Sequence, residues 1–314
     1  KYYRIRRLLP AMKPALIIGS TCLDVILHID HLPKTEENIR PTSQTMALGG
    51  CAYNVSHMMR LLHAPHTFIS PVGGGTYGDY VAKQMRLQGI PVSVHIPEEE
   101  NGCCYCLVEA SGERTFMSYH GVEYTFQKSW MEPYQPDSYG LTYVCGLEIE
   151  ESTGINLIEY LESHPQLSVC YAPGPRGVLI EPDKTNRMMA LHPMLHVNEG
   201  EAAALSGCSD YREAAAALQA VTGNTVILTL GSKGAYCLEP GKEGYLVPSV
   251  PVTEVKDTIG AGDAHIGTIL ACLTNGMPLA DAVAYANRVS AAVVGITGSS
   301  LPPELLPPLP EKEA

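Results

Sequence analysis

Positive charge is scarce in this chain: 21 Lys and Arg stand against 33 Asp and Glu, a net charge of −12. A nucleic-acid binder needs a basic face to displace counterions, so the balance argues against that class. It does not argue against an anionic small ligand, because backbone N–H groups can hold a phosphate. Long apolar runs are also missing, and no stretch approaches the ~18 residues of a membrane span. The basic start, Lys1 to Met12, is not followed by an uninterrupted apolar region, so residues 1–14 read as an N-terminal extension and not as a signal peptide. No repeat of solenoid period occurs. No G-x-G-x-x-G follows the first strand with an acid about 20 residues further on, which argues against a Rossmann dehydrogenase. Cysteine is not scarce, with ten residues, but no C-x-x-C recurs at zinc-finger spacing. The pair Cys103 and Cys106 brackets a tyrosine in a strand-like run, which favours a structural reading over a metal or redox one. Scattered free thiols suit a reducing compartment, and a soluble cytoplasmic protein is expected.

Apolar residues make up 45% and charged residues 17% of 314, enough for a large core. That length fits two ordinary domains or one large α/β domain with an insertion. Ala15-Leu-Ile-Ile-Gly19 reads as a buried strand, and Asp24 to Ile29 as a second one leading into a turn. Residues 34–48 are polar with little periodicity. Gly49-Gly50 opens a helix over 54–62, a strand is predicted at 68–72 and a helix at 79–88. Runs at 103–109 and 114–119 read as a hairpin around Ala110-Ser-Gly-Glu113. Strands are predicted at 141–145, 167–171, 194–197, 225–229 and 235–238. Helices are predicted at 153–163, 199–206, 211–221, 261–275 and 279–295. This alternation predicts an α/β fold, a mostly parallel sheet with helices on both faces. The segments near 24–48 and 102–119 break the rhythm and form a candidate accessory sheet. The Pro-rich end, 302–310, reads as an extended surface segment.

The most informative segment is Lys256-Asp-Thr-Ile-Gly-Ala-Gly-Asp263. A Gly-Ala-Gly run before a helical pattern leaves unpaired N–H groups at a helix N-terminus, a site for a phosphoryl group. An aspartate there would repel phosphate if it only lined the pocket. It makes sense as a base that deprotonates a hydroxyl attacking that phosphate. The bland alternative is an Asp cap after a Gly-rich turn.

Asp257-Thr-Ile-Gly-Ala-Gly-Asp263 resembles the C-terminal signature of the ribokinase-like (PfkB) carbohydrate kinases. The resemblance covers nearly the whole chain. Gly19-Ser-Thr-Cys-Leu-Asp24 is similar to the opening strand with its substrate aspartate, and Gly49-Gly50-Cys-Ala-Tyr-Asn54 to the Gly-Gly-x-x-x-Asn signature. Gly112-Glu-Arg-Thr-Phe116 resembles the lid hairpin, Asn198-Glu-Gly-Glu201 the Asn-x-x-Glu motif, and Thr229-Leu-Gly-Ser-Lys-Gly234 the nucleotide loop. It implies a three-layer fold with a small β-sheet lid, a kinase domain over 15–300 and a tail at 301–314. It implies ATP-dependent phosphorylation of a hydroxymethyl group on a small sugar or nucleoside. Asp263 would be the base, and the N–H groups of Gly260, Ala261 and Gly262 the anion hole. Asp24, Gly49, Gly50, Asn54, Arg114 and Glu148 would hold the acceptor. Asn198, Thr229, Gly231, Ser232, Gly234 and Asn287 would line ATP. Glu201 would organise Mg²⁺ through water, and Asp257 with the carbonyl of Ile259 would hold a monovalent cation such as K⁺. Some relatives pair such lids into homodimers. The reading from another class is a non-catalytic sugar- or nucleotide-binding sensor of the same fold.

Three departures bear on the acceptor. Cys22 stands where many sugar-kinase members have Asn, Gly73-Gly-Gly75 lacks an expected acid, and Ala172 precedes Pro-Gly-Pro-Arg176 where a related pattern has Asp. A smaller, less polar and wider pocket predicts a furanose, within a nucleoside more than as a free sugar. Arg176 reads equally as an anion ligand or a loop brace.

Overall fold

The computed structural model describes residues 13–309. The N-terminal half contains strands β1 (Ala15–Ile18), β2 (Cys22–Ile29), β3 (Ser43–Gly49), β4 (His66–Ile69), β5 (Pro71–Gly74), β6 (Val94–Glu100), β7 (Cys103–Glu109) and β8 (Arg114–Tyr119). It also holds helices α1 (Cys51–Leu61), α2 (Gly75–Leu87) and the short α3 (Lys128–Met131). Then come β9 (Leu141–Cys145), α4 (Gly146–Glu150), α5 (Gly154–Glu162), β10 (Ser168–Ala172), α6 (Pro182–Ala190), β11 (Met194–Asn198), α7 (Glu199–Ser206) and α8 (Tyr211–Thr222). The chain closes with β12 (Val226–Thr229), β13 (Ala235–Leu238), β14 (Tyr245–Val247), α9 (Ala261–Thr274) and α10 (Leu279–Val293).

Eight strands form the central sheet in the order β14-β13-β12-β11-β10-β9-β1-β4. All pairs from β12 to β4 are parallel, and β13 and β14 finish the edge antiparallel. A sheet covered on both faces needs apolar strands without alternation, and β1 is buried at all four positions. One face packs against α1, α9 and α10 through Val55, Met58, Ile266, Ile269 and Val289. The other packs against α5, α6 and α8 through Leu157, Ile158, Met188 and Leu218. Helix α9 is buried from Ala264 through Cys272, which explains its nearly unbroken apolar sequence.

A separate four-stranded sheet, β3-β2-β7-β8, joins the segments that broke the α/β rhythm. β2 pairs antiparallel with β3 from Cys22 opposite Gly49, and parallel with β7 from Leu23 opposite Cys103. The three-layer architecture with a small accessory sheet is as expected. No helix among the described residues is long and apolar enough to cross a membrane.

Several local expectations need correction. The polar segment 34–48 ends in strand β3, whose largely exposed side chains hide it from a hydrophobicity reading. The strand at 68–72 is two strands in different sheets, because β5 leaves the main sheet to pair with β6. Helix α2 begins at Gly75, four residues early, and α1 at Cys51. Helix α6, β6 and β14 were not expected. Their sequences are short or polar, and tertiary pairing decides them. The C-terminal segment 302–309 runs exposed or half-buried over the surface, pinned where Tyr285 donates to the Pro307 carbonyl at 2.7 Å, and Leu301 just before it is fully buried. Residues 1–12 of the expected N-terminal extension lie outside the described residues.

Candidate active site

The motif residues gather where the parallel strands end. Gly19 follows β1, Asn198 closes β11 and Thr229 closes β12. Carboxyl ends of strands in an open α/β sheet are where ligands bind, since loops there surround a crevice without disturbing the core.

Asp263 lies in the first turn of α9. Gly260 precedes that helix at φ 72°, and a Cβ there would sit 2.4 Å from the Ser299 Cβ, so only glycine fits. The helix has no side-chain cap, leaving its first-turn N–H groups to an external partner. Of the three expected donors, Ala261 is turned to the Thr258 carbonyl at 3.3 Å. The Asp263 carboxylate accepts from Asn54 Nδ2 at 2.8 Å, and Asn54 Oδ1 accepts from Ser299 Oγ at 3.0 Å. Burial pushes the Asp263 carboxyl up to about 6, while Asn54 and the Cys51 thiol favour its charged form and Glu148 and Glu201 oppose it. Asn54, expected to grip the acceptor, thus touches the Asp263 carboxylate.

Asp24 lies on β2 beside Gly49 of β3. A Cβ on Gly49 would stand 2.0 Å from Asp24 Oδ2, so the glycine makes room for the carboxylate. Cys22 Sγ approaches Asp24 Oδ1 at 3.5 Å. Burial raises the Asp24 carboxyl to about 6, with the Cys22 contact opposing. Gly50 adopts φ 101°, and a Cβ would press on the Ser20 carbonyl at 2.7 Å. Glu148 is fully buried. Its Oε1 accepts from Ser20 N and Oγ, both at 2.8 Å, whereas Oε2 has no partner, and burial raises its carboxyl. An unpartnered buried carboxylate oxygen fits a hydroxyl-bearing ligand.

On the nucleotide side, Asn198 and Glu201 form a reciprocal capping box on α7, with Glu201 N donating to Asn198 Oδ1 at 2.8 Å and Asn198 N to Glu201 Oε2 at 3.0 Å. Burial raises the Glu201 carboxyl. Gly231 takes φ 57°, and a Cβ on Gly234 would meet the Val247 carbonyl at 2.1 Å, so these glycines set the turn against β14. Ser232 is exposed beside them, and Thr229 Oγ1 lies 3.5 Å from the Val197 carbonyl.

Asn287, expected at the adenine edge, is buried and committed elsewhere. Its Nδ2 donates to the Val247 and Pro248 carbonyls at 3.0 and 3.1 Å, so its Oδ1 accepts from His265 Nε2 at 3.1 Å. His265 Nδ1 then accepts from His196 Nε2 at 2.9 Å. Burial holds both imidazoles neutral, His265 down to about 4 and His196 well below its usual value. Nothing in the residue pattern announced this relay, because a histidine in an apolar helix or strand has no spacing signature. Gly73 and Gly74 also differ from expectation. A Cβ on Gly73 would be 2.6 Å from Asn101 N, and one on Gly74 2.1 Å from the Pro97 carbonyl, so they serve β5–β6 packing and are no sign of a wider pocket. Arg176 is a brace, donating to both carboxylate oxygens of Glu150 at 2.7 and 2.5 Å.

Asp257 is 4% exposed. Its Oδ1 accepts from Ile259 N at 2.8 Å and from Arg114 Nη1, and its Oδ2 from Gly298 N at 2.7 Å. A guanidinium already neutralises this carboxylate. That donor set does not fit the resident monovalent cation implied at Asp257 and Ile259, and it draws Arg114 away from the acceptor group.

A helix start without a side-chain cap and a half-buried carboxylate in its first turn, at the open edge of a three-layer α/β sheet beside a small second sheet, suit a phosphotransferase. A model of the pfkB family carbohydrate kinases matches residues 12–305. An Escherichia coli (strain K12) protein, "Uncharacterized sugar kinase YegV", is 32% identical over 309 residues, covering 96% of this chain and 95% of that protein. Ribokinase from Cryptococcus neoformans var. grubii, solved in complex with ADP, superposes with a TM-score of 0.74 at 25% identity over 95% of this chain and 97% of the other. Adenosine kinase from Sinorhizobium meliloti shares the fold, with a TM-score of 0.79 at 21% identity over 92% and 96%. The chain belongs to the pfkB family of carbohydrate kinases.

Proposed function

We propose that the chain transfers the γ-phosphoryl group of ATP to the hydroxymethyl group of a furanose, free or within a nucleoside, with Asp263 as general base. The observation that carries the reading is the Asp263 carboxylate, held by Asn54 at 2.8 Å in the first turn of α9 directly after the Gly260-Ala261-Gly262 run. As the hydroxyl oxygen attacks the γ-phosphorus, its proton passes to Asp263 and the bond to ADP breaks. The N–H groups of Gly260 and Gly262 and the dipole of α9 stabilise charge on the equatorial oxygens. A base with a pKa near 6 is largely ionised at pH 7 yet still basic enough to take the proton.

Asp24 and Glu148 Oε2 hold acceptor hydroxyls, and Gly49 and Gly50 let the backbone approach the ring. Cys22 supplies no amide hydrogen bond, which leaves room for a base on the anomeric carbon; Gly73 and Gly74 give this nucleoside preference no support. Thr229, Gly231, Ser232 and Gly234 line the nucleotide. Asn198 and Glu201 fit a Mg²⁺ ion held through water, since Glu201 uses only Oε2 in its cap. That ion would offset charge on the ATP phosphates. The exposed Phe116, Met117 and Tyr119 on edge strand β8 support pairing of two copies through the small sheet.

The test is ATP turnover across ribose, fructose, 2-keto-3-deoxygluconate and a set of nucleosides including pseudouridine. Phosphorylation of at least one acceptor is expected, abolished by Asp263→Asn. Binding of sugar and nucleotide without turnover of any acceptor would favour the sensor reading instead.

A further inference from the structure

Asp257 sits three residues before Gly260, at the root of the phosphoryl-binding loop. Its carboxylate ties that loop to itself through Ile259 N at 2.8 Å and to the turn after α10 through Gly298 N at 2.7 Å. The Lys256 and Asp257 N–H groups both donate to the Val294 carbonyl, at 2.8 and 3.2 Å, so the whole root is fixed against the end of α10. A carboxylate buried this deeply needs a counter-charge, because an unpaired one would be strongly destabilising. The counter-charge comes from Arg114, the first residue of β8 in the small sheet, whose side chain is 16% exposed. The two residues are 143 apart in sequence: Arg114 opens β8 of the small sheet, and Asp257 lies in the loop between β14 and α9.

We propose that the Arg114 guanidinium is the built-in cation of the anion loop: a positioning residue that straps the small sheet to Asp257 and makes a bound monovalent cation unnecessary there. The proposal rests on the kinase reading for its kinetic consequence, but not for its ion-binding one. With Arg114 in place, the Ile259 and Gly298 N–H bonds keep the Gly260–Gly262 backbone aimed at the phosphoryl group only while the small sheet is down. The strap thus couples closure over the acceptor to completion of the anion hole. Without Arg114, the buried Asp257 carboxylate loses its counter-charge, its hold on the Ile259 and Gly298 N–H groups loosens, and a free cation becomes the means of restoring both.

The experiment compares wild type, Arg114→Ala and Arg114→Lys in buffers of matched ionic strength containing K⁺, guanidinium or tetramethylammonium, reading kcat, acceptor KM and Tm. Wild-type rate and Tm should be the same in K⁺ and in tetramethylammonium. For Arg114→Ala in tetramethylammonium, kcat should fall about tenfold or more with acceptor KM little changed, as expected when donors to the transferring group are misaligned. K⁺ or low-millimolar guanidinium should restore much of that rate and raise the variant's Tm, and Arg114→Lys should lie between. A wild-type rate and Tm that both drop on removing K⁺ would overturn the proposal. So would an Arg114→Ala enzyme with raised acceptor KM, unchanged kcat and no response to cations, the pattern of an arginine that grips the acceptor. If no acceptor is phosphorylated, the kinase reading fails, and the Tm comparison still decides the cation claim. Should Arg114→Ala not fold, the wild-type and Arg114→Lys salt responses decide it alone.

Discussion

Asn54 and Asp263 lie 209 residues apart and are joined by a 2.8 Å hydrogen bond from Nδ2 to Oδ2. The contact exists because α1 and α9 cross closely. Gly267 faces Val55 and Met58, and a Cβ there would come within 2.9 Å of the Met58 Cβ and 3.1 Å of the Val55 Cα. One turn up α9 from Gly267 is Asp263, and one residue before Val55 is Asn54. Core packing thus sets the position of a polar pair at the cleft floor, with Ser299 fixing the amide's orientation.

The bond should tune the base. A donor to the carboxylate favours its charged form, so Asn54→Ala should move Asp263 above its value of about 6. The acidic limb of the kcat/KM profile should shift to higher pH, with a larger loss at pH 6 than at pH 8. A profile of unchanged shape with a raised acceptor KM would instead place Asn54 on the acceptor.

Replacing the base itself separates chemistry from binding. Asp263→Asn should lower kcat on the order of 10²–10⁴-fold with ATP affinity little changed, the scale of general-base loss. The substitution should also stabilise the ligand-free protein. The folded carboxyl binds its proton more tightly than an ordinary one at 3.8, so its ionisation disfavours the fold as pH rises from about 4 to about 6. An asparagine does not ionise and can still accept from Asn54. The gain should be on the order of 2 kcal/mol at pH 8 and vanish below about pH 4, read from denaturant melts across pH.

Much of this was legible because local chemistry and tertiary position coincide. The Gly260–Asp263 run demands free N–H groups and a small-residue approach, and no packing elsewhere in the fold competes for it. Strands β9 to β13 were legible as short apolar runs between turn residues. What was not legible depends on partners distant in sequence. The contact of Asn54 with Asp263 has no signature in the residue pattern until α9 is placed beside α1. Gly73 and Gly74 look like room in a pocket until β6 presses on them. Arg114 and Asp257 each carry a plausible separate role, and only the fold reveals that they neutralise one another.

Gly49 offers a test of the acceptor site that leaves the base alone. Gly49→Ala would put a methyl group 2.0 Å from Asp24 Oδ2, so the carboxylate must swing away. Gly49 lies at the end of β3, outside the central sheet that holds the main core, so the fold should persist. The expected result is acceptor KM raised about tenfold or more with ATP KM nearly unchanged, as for loss of a charge-assisted hydrogen-bond acceptor. Equal changes in both would show a general disturbance of the cleft.

Glu201 separates a structural from a metal role on the nucleotide side. In its capping box the carboxylate accepts one backbone hydrogen bond, from Asn198 N at 3.0 Å. A glutamine oxygen can accept the same bond, so Glu201→Gln should keep α7 capped and change Tm little, where loss of a cap would remove about 1 kcal/mol. The amide carries no charge and is a far poorer partner for water on Mg²⁺, whose few protein ligands are carboxylates. The Mg²⁺ concentration for half-maximal rate should therefore rise about tenfold or more, and saturating Mg²⁺ should recover most of kcat. Glu201→Ala should show the same Mg²⁺ response together with a lower Tm. If the glutamine variant matches wild type in its Mg²⁺ dependence while the alanine variant loses only stability, Glu201 is a helix cap and the ion is organised from elsewhere.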